Sequence, residues 1–237
     1  MEQAIIPDMT DYSDETRLLI GGCVASRVRC VKVADVEPER FQRIKQEALT
    51  LMQQNEGQEV AGDHPTYAFV SRQDPDWVPL DGGIIQYSLY NSQDNLTYNN
   101  DDHHWSEVHR KFNSGLREIP AFFEHYFGDS ELQNFRLQAI KSGGSLGQHR
   151  EKIVGIPKRE MHYKLRFHLP IITNDSVRFL MEGEEFQMQA GSIYLFNQGC
   201  MHGVSNDGDL RVHLIWDVYL NEPLIKNLLF MPSQGVC

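Results

Sequence analysis

Apolar and polar positions follow two textures along this chain. Up to about residue 128 the apolar residues fall mostly at helical spacings, and from Phe135 onward they alternate in short runs. In the first texture Phe41, Ile44, Ala48, Leu51 and Met52 form a stripe behind Pro38, which predicts a helix over Glu37–Gln54. Trp105, Val108, Phe112, Leu116 and Ile119 share that spacing inside Asn99–Gly128, with Pro120 expected to break or kink the helix. Arg27–Val33, Thr66–Val70 and Ile84–Tyr90 read as strands, residues 55–65 as a loop, and the first 20 or so residues as an irregular lead-in. In the second texture the strand candidates are Phe135–Ile140, Tyr163–Ile172, Val177–Met181, Glu185–Gln189, Ser192–Phe196, Gly203–Ser205 and Leu210–Tyr219. Strands this short, separated by Gly, Asn and Asp turns, predict an antiparallel sandwich or barrel. No Pro/Gly/Ser-rich linker interrupts the chain, so one domain is expected. Its parts are a helical, mixed front half (1–130), a β core (131–222) and a C-terminal tail (223–237).

Composition narrows the class. At 237 residues, 41% hydrophobic and 23% charged, the chain can bury a sizeable core without staples. A net charge of −11 argues against a general binder of nucleic acid or of anionic membranes, both of which call for a basic face. No apolar run approaches the roughly 18 residues that a bilayer span requires. The N-terminus shows no basic region followed by an apolar one, and Cys23, Cys30, Cys200 and Cys237 form no C-x-x-C pair. A cytoplasmic protein with reduced thiols is the expectation. Its partner would be a small molecule, and its oligomeric state, homo-oligomer included, stays open.

Candidate chemistry comes from spacing, because a lone histidine is more often structural than a ligand. His149 and Glu151 stand two apart after the turn Ser142–Ser145, so in an extended segment both face one side. His202 follows 53 residues later, behind the strand Ser192–Phe196. Two histidines and a carboxylate make the facial triad that holds non-haem Fe(II) and leaves positions open for a cosubstrate and O2. Arg211 lies inside an apolar strand, where an unpaired charge is costly, so it should meet a carboxylate. Its planar fork suits a dicarboxylate such as 2-oxoglutarate. Arg166 and His168 share one face of LRFHLP and suit the same kind of pocket. Asp101-Asp102-His103-His104 reads better as a helix start than as a second metal site, and His109, His125, His162 and His213 as core or surface residues. Cys200 reads as a small packing residue.

The turn before His149, LRFHLPIITND (Leu165–Asp175) and GSIYLFNQGCMHGVSNDGDLRVHLIWDVYL (Gly191–Leu220) resemble the aspartyl/asparaginyl β-hydroxylase-like family of Fe(II)/2-oxoglutarate oxygenases. That family includes bacterial hydroxylases of free amino acids such as proline. The resemblance implies a mainly β fold with α, a double-stranded β-helix (jelly-roll, cupin-like) with a helical N-terminal half packed on it. It also implies iron on His149, Glu151 and His202, and Arg211 on the distal carboxylate of 2-oxoglutarate. Arg166 and His168 would sit in the cosubstrate or substrate pocket, with Gln138 beside the anchoring arginine. The implied reaction hydroxylates an unactivated C–H of a small carboxylate-bearing substrate, releasing succinate and CO2. Glu151 departs from the family's usual Asp and is longer by a methylene. Gln86, Tyr87, Tyr90 and the Asn99–His104 segment are candidates for lining the substrate site. Two other readings stand beside this one: a peptide or protein side-chain hydroxylase, and a cupin-like metal-binding protein that does not use 2-oxoglutarate.

Overall fold

The computed structural model describes residues 10, 14–25, 27–54, 83–91, 115–151, 153–155 and 162–225. Within them the order is α1 (Asp14–Val24), β1 (Cys30–Asp35), α2 (Pro38–Gln54), β2 (Ile84–Asn91), α3 (Glu118–Phe127), β3 (Leu132–Ile140), β4 (Gly144–His149) and β5 (Val154–Gly155). Then come β6 (His162–Ile172), β7 (Val177–Met181), β8 (Glu184–Phe186), β9 (Ser192–Phe196), β10 (His202–Asn206) and β11 (Arg211–Tyr219). A major sheet runs β1-β9-β6-β11-β3-β2 with β5 on β6, and a minor sheet runs β4-β10-β7-β8. Every pairing is antiparallel. From β3 to β11 the chain passes back and forth between the sheets, which is the winding of a double-stranded β-helix.

The period-2 pattern gives the major sheet two chemically different faces. On one, Phe135, Leu137, Leu165, Phe167, Leu169, Val212, Leu214, Trp216 and Val218 are buried together with Ile44 and Ala48 of α2 and Ile119, Phe122 and Phe127 of α3. Trp216 stacks on Phe135 at 5.2 Å and takes Phe122 and Phe127 edge-on at 5.6 and 5.3 Å. Such pairs add to the area they bury, so this layer is where the helices gain their hold. The alternate residues point into the barrel and are polar yet buried: Asn134, Arg136, Gln138, Arg166, His168, Arg211, His213 and Asp217.

Three local expectations change. The lead-in contains a helix, α1, whose Ile20 and Cys23 are buried in the helix-side core. Pro120 is the third residue of α3 and begins the helix instead of breaking it, since N–H groups of a first turn have no acceptor within the helix. The orphan donors of that turn are met from α2, where the Glu47 carboxylate accepts the backbone N–H groups of Arg117, Glu118 and Ile119. The edge strand of the minor sheet, β4, replaces the turn and extended segment expected before Glu151. Thr66–Val70 and residues 99–114, with His103, His104 and His109, lie outside the described residues.

Candidate metal and carboxylate site

The first histidine ends β4 and the second begins β10, and the pairing of these strands sets His149 opposite His202. Their rings lie 4.4 Å apart. Close approach here depends on Gly203, where the register shifts; a Cβ on it would sit 2.9 Å from the Leu146 carbonyl oxygen. Each imidazole is fixed by its own backbone: His149 Nδ1 lies 2.8 Å from the Gly147 carbonyl and His202 Nδ1 2.8 Å from that of Cys200. A carbonyl only accepts, so each Nδ1 carries the hydrogen and each Nε2 presents a lone pair. Ligating histidines are commonly held this way.

Glu151 joins them from the segment after β4, its N–H bonded to the Gln198 carbonyl in the turn before β10. One carboxylate oxygen lies 3.6 Å from His149 Nε2 and 3.8 Å from His202 Nε2. Ligand atoms of all three residues fall within 4.8 Å of one another, a spacing that one divalent cation can bridge. Arg166 Nη1 and Nη2 both donate to Glu151, the second at 2.7 Å. A carboxylate has about four lone-pair sites, so these bonds leave room for a metal. Burial alone would raise the Glu151 carboxyl, but Arg166 and His149 hold it well below its usual range. Burial pushes His202 down to about 4, with His149 adding to the effect. At His149 burial acts the same way, yet Glu151 outweighs it and the net shift is upward.

Arg166 has a second carboxylate behind it. Its Nε and Nη2 donate to the two oxygens of Asp217 at 2.7 and 2.9 Å, and Asn134 donates to Asp217 at 2.8 Å. The guanidinium thus lies between Glu151 and Asp217. Asp217 is fully buried and is kept ionised against that burial by Arg166, which draws its pKa down. Sequence reasoning missed it, although it stands six residues after Arg211 and so on the same strand face.

Arg211 differs. It is 0% exposed, and its Nη1 donates to Gln138 Oε1 at 2.8 Å. Its Nε and Nη2 have no hydrogen-bond partner, and no carboxylate of the described residues pairs with it. Burial, then the charge of Arg136, draws the guanidinium down to about 9, still charged at neutral pH. Its Cζ lies 5.3 Å over the Phe179 ring. His168 and His213 stand beside it, both buried and both held neutral by burial and by the Arg211 charge. Of the residues expected to line the substrate site, Gln86 is buried opposite Gln138, whose amide donates to it at 3.4 Å. Tyr87 and Tyr90 pack instead into the helix-side core, as strand alternation and a bulge between Ser88 and Tyr90 require.

The barrel thus holds a cluster of two imidazoles and a carboxylate that could bind one metal ion, and apart from it a buried guanidinium with open donors. The family model for aspartyl/asparaginyl beta-hydroxylase matches residues 38–220. The chain belongs to that family. No curated protein matches significantly. Solved structures similar to this β-hydroxylase family member include a 2OG-Fe(II) oxygenase family oxidoreductase from Burkholderia pseudomallei. It shows 14% identity over 61% of this chain and 73% of its own, with a TM-score of 0.36. A predicted oxalate decarboxylase from Thermotoga maritima shows 15% identity over 41% and 74%, TM-score 0.30. A cupin domain from Bordetella pertussis shows 22% over 38% and 84%, TM-score 0.29. Among the described residues no helix is long and apolar enough to cross a membrane.

Proposed function

We propose that this β-hydroxylase family member is an Fe(II)- and 2-oxoglutarate-dependent dioxygenase that hydroxylates a small carboxylate-bearing substrate, a free amino acid or a derivative of one. The observation that carries this reading is Arg211: a fully buried cation with two unmet donor groups, in the same barrel as the His149/Glu151/His202 cluster. An unpaired buried charge is strongly unfavourable, so the fold must present it to an anionic ligand. A metal bound only by side chains would not need it. The residues fit both groups: two imidazoles with their lone pairs free and a carboxylate for Fe(II), and a forked donor for a dicarboxylate.

When bound, Fe(II) and 2-oxoglutarate would activate O2, the oxidant, so that one oxygen atom goes to the substrate C–H and the other to succinate, with CO2 released. The protein's own share is placement. The Gly147 and Cys200 carbonyls hold the imidazole hydrogens at Nδ1, so both Nε2 atoms keep their lone pairs for a metal. Arg166 holds both oxygens of Glu151 and limits its rotation. Gln138 aims one arm of Arg211 and leaves the others for the distal carboxylate. The wall around Arg211 and Arg166 is buried, which would limit water on that side of the reacting centre. Four scattered cysteines, three of them free and buried, suit a reducing compartment such as the cytoplasm.

The test is a screen of free amino acids and their N-acyl derivatives in air with Fe(II) and 2-oxoglutarate, scoring succinate and a product heavier by one oxygen. The reading expects at least one acid to raise succinate in proportion to product. If only peptides do so, the side-chain hydroxylase reading replaces it; if 2-oxoglutarate is never consumed, the cupin-like reading does.

A further inference from the structure

We infer that His213 is a carboxylate-binding residue of this barrel, donating its Nε2–H to the acid group that Arg211 grips, with its tautomer set by His168. The inference rests on the reading above, that Arg211 holds the distal carboxylate of 2-oxoglutarate.

His213 and His168 are 0% and 5% exposed, on the neighbouring strands β11 and β6. Their Nδ1 atoms face each other at 3.4 Å, a long contact, and the Nε2 atom of each has no hydrogen-bond partner. Two neutral imidazoles that meet through Nδ1 must divide the roles, one donating and one accepting. Of the two Nε2 atoms, therefore, one carries a hydrogen and the other a lone pair. His213 stands two residues from Arg211 on the same strand face, about 7 Å along the strand. Both pack against one ring: the His213 ring centre lies 5.6 Å from that of Phe179, and Arg211 Cζ lies 5.3 Å from it. A carboxylate offers only acceptors. Once it lies on Arg211 it selects the state in which His213 holds hydrogen at Nε2, and His168 then donates Nδ1–H to His213. An apolar pair would fill this space without leaving two polar atoms unmet, so packing alone does not account for it.

The experiment uses the full chain labelled with 15N-histidine, loaded with diamagnetic Zn(II) and titrated with 2-oxoglutarate, read by long-range 1H–15N spectra and by calorimetry. In the complex His213 should be the Nε2–H tautomer and His168 the Nδ1–H tautomer. His213→Leu should weaken 2-oxoglutarate about tenfold, and His213→Gln, which keeps an N–H donor, should recover most of that loss. Wild-type affinity in His213→Leu, or the reverse tautomers in the wild-type complex, would overturn the inference while leaving the Arg211 reading intact. If wild type binds no 2-oxoglutarate, both fall. Should His213→Leu not fold, the wild-type tautomers decide.

Discussion

Two arginines on adjacent strands of the barrel wall, Arg166 and Arg211, are buried to nearly the same degree and live in opposite electrostatic conditions. Arg166 touches two carboxylates with all three of its nitrogens; Arg211 touches one amide. A cation between two buried acids is part of the folded structure, since removing it strands both acids in low dielectric. A cation with open donors is a standing cost to the fold, and such a cost is retained where a ligand removes it. The same residue type in the same sheet therefore marks architecture in one place and a binding site in the other, and the partners decide which.

That contrast can be broken experimentally. The largest effect expected is on stability: Arg166→Met should lower unfolding free energy by about 3–5 kcal/mol, because Glu151 and Asp217 lose their shared cation. Chemical denaturation measures this, and a loss below about 1 kcal/mol would show that the two acids find other partners. Next, Arg211→Met should weaken 2-oxoglutarate by about a hundredfold, the scale of losing a buried charge-assisted pair. The same Arg211→Met protein, free of ligand, should be more stable than wild type by about 1–2 kcal/mol, the opposite sign to Arg166→Met. Equal destabilisation by both substitutions would erase the distinction drawn here.

Smaller effects sharpen it. Gly203→Ala should push β10 from β4 where His149 and His202 meet, weakening Fe(II) binding several-fold at little cost in helix content; calorimetry and circular dichroism separate the two. The acid limb gives the last prediction. Glu151 and Asp217 have folded pKa values below their usual ones, so the unfolded chain binds more protons as pH falls. Their contribution is fully present above the ordinary carboxylate range and is lost as pH drops through it toward the depressed folded values. Asp217→Asn should flatten that limb of a stability–pH curve.

The β half was legible because period-2 alternation survives burial on both faces: β6 and β11 alternate apolar residues with Arg, His and Asp, and the strand ranges follow from that. β4 was not, since GSLGQH has one strong apolar residue and becomes a strand by pairing with β10. The α1 helix was hidden by Gly21-Gly22, poor helix formers, and is held by burial of Ile20 and Cys23. At the site, the spacing groups His149, Glu151 and His202, whose ligand atoms the fold brings within 4.8 Å of one another, and it marks Arg211 as a buried cation. Asp217 and the His168–His213 contact could not be found this way, because they depend on which strand lies beside which. Arg166 shows the limit most plainly: its place in the barrel follows from the sequence, but its engagement by Glu151 and Asp217 is a fact of three dimensions.

The most direct test of the central claim needs no substrate. Under anaerobic conditions, Fe(II) and then 2-oxoglutarate are added to the purified protein and the visible metal-to-ligand charge-transfer band of the chelate is followed. The account predicts a saturable band in wild type, its loss in His149→Ala, and a titration shifted to much higher 2-oxoglutarate in Arg211→Met. Fe(II) binding without any band would contradict it and leave a cupin-like metal protein whose buried arginine serves another anion.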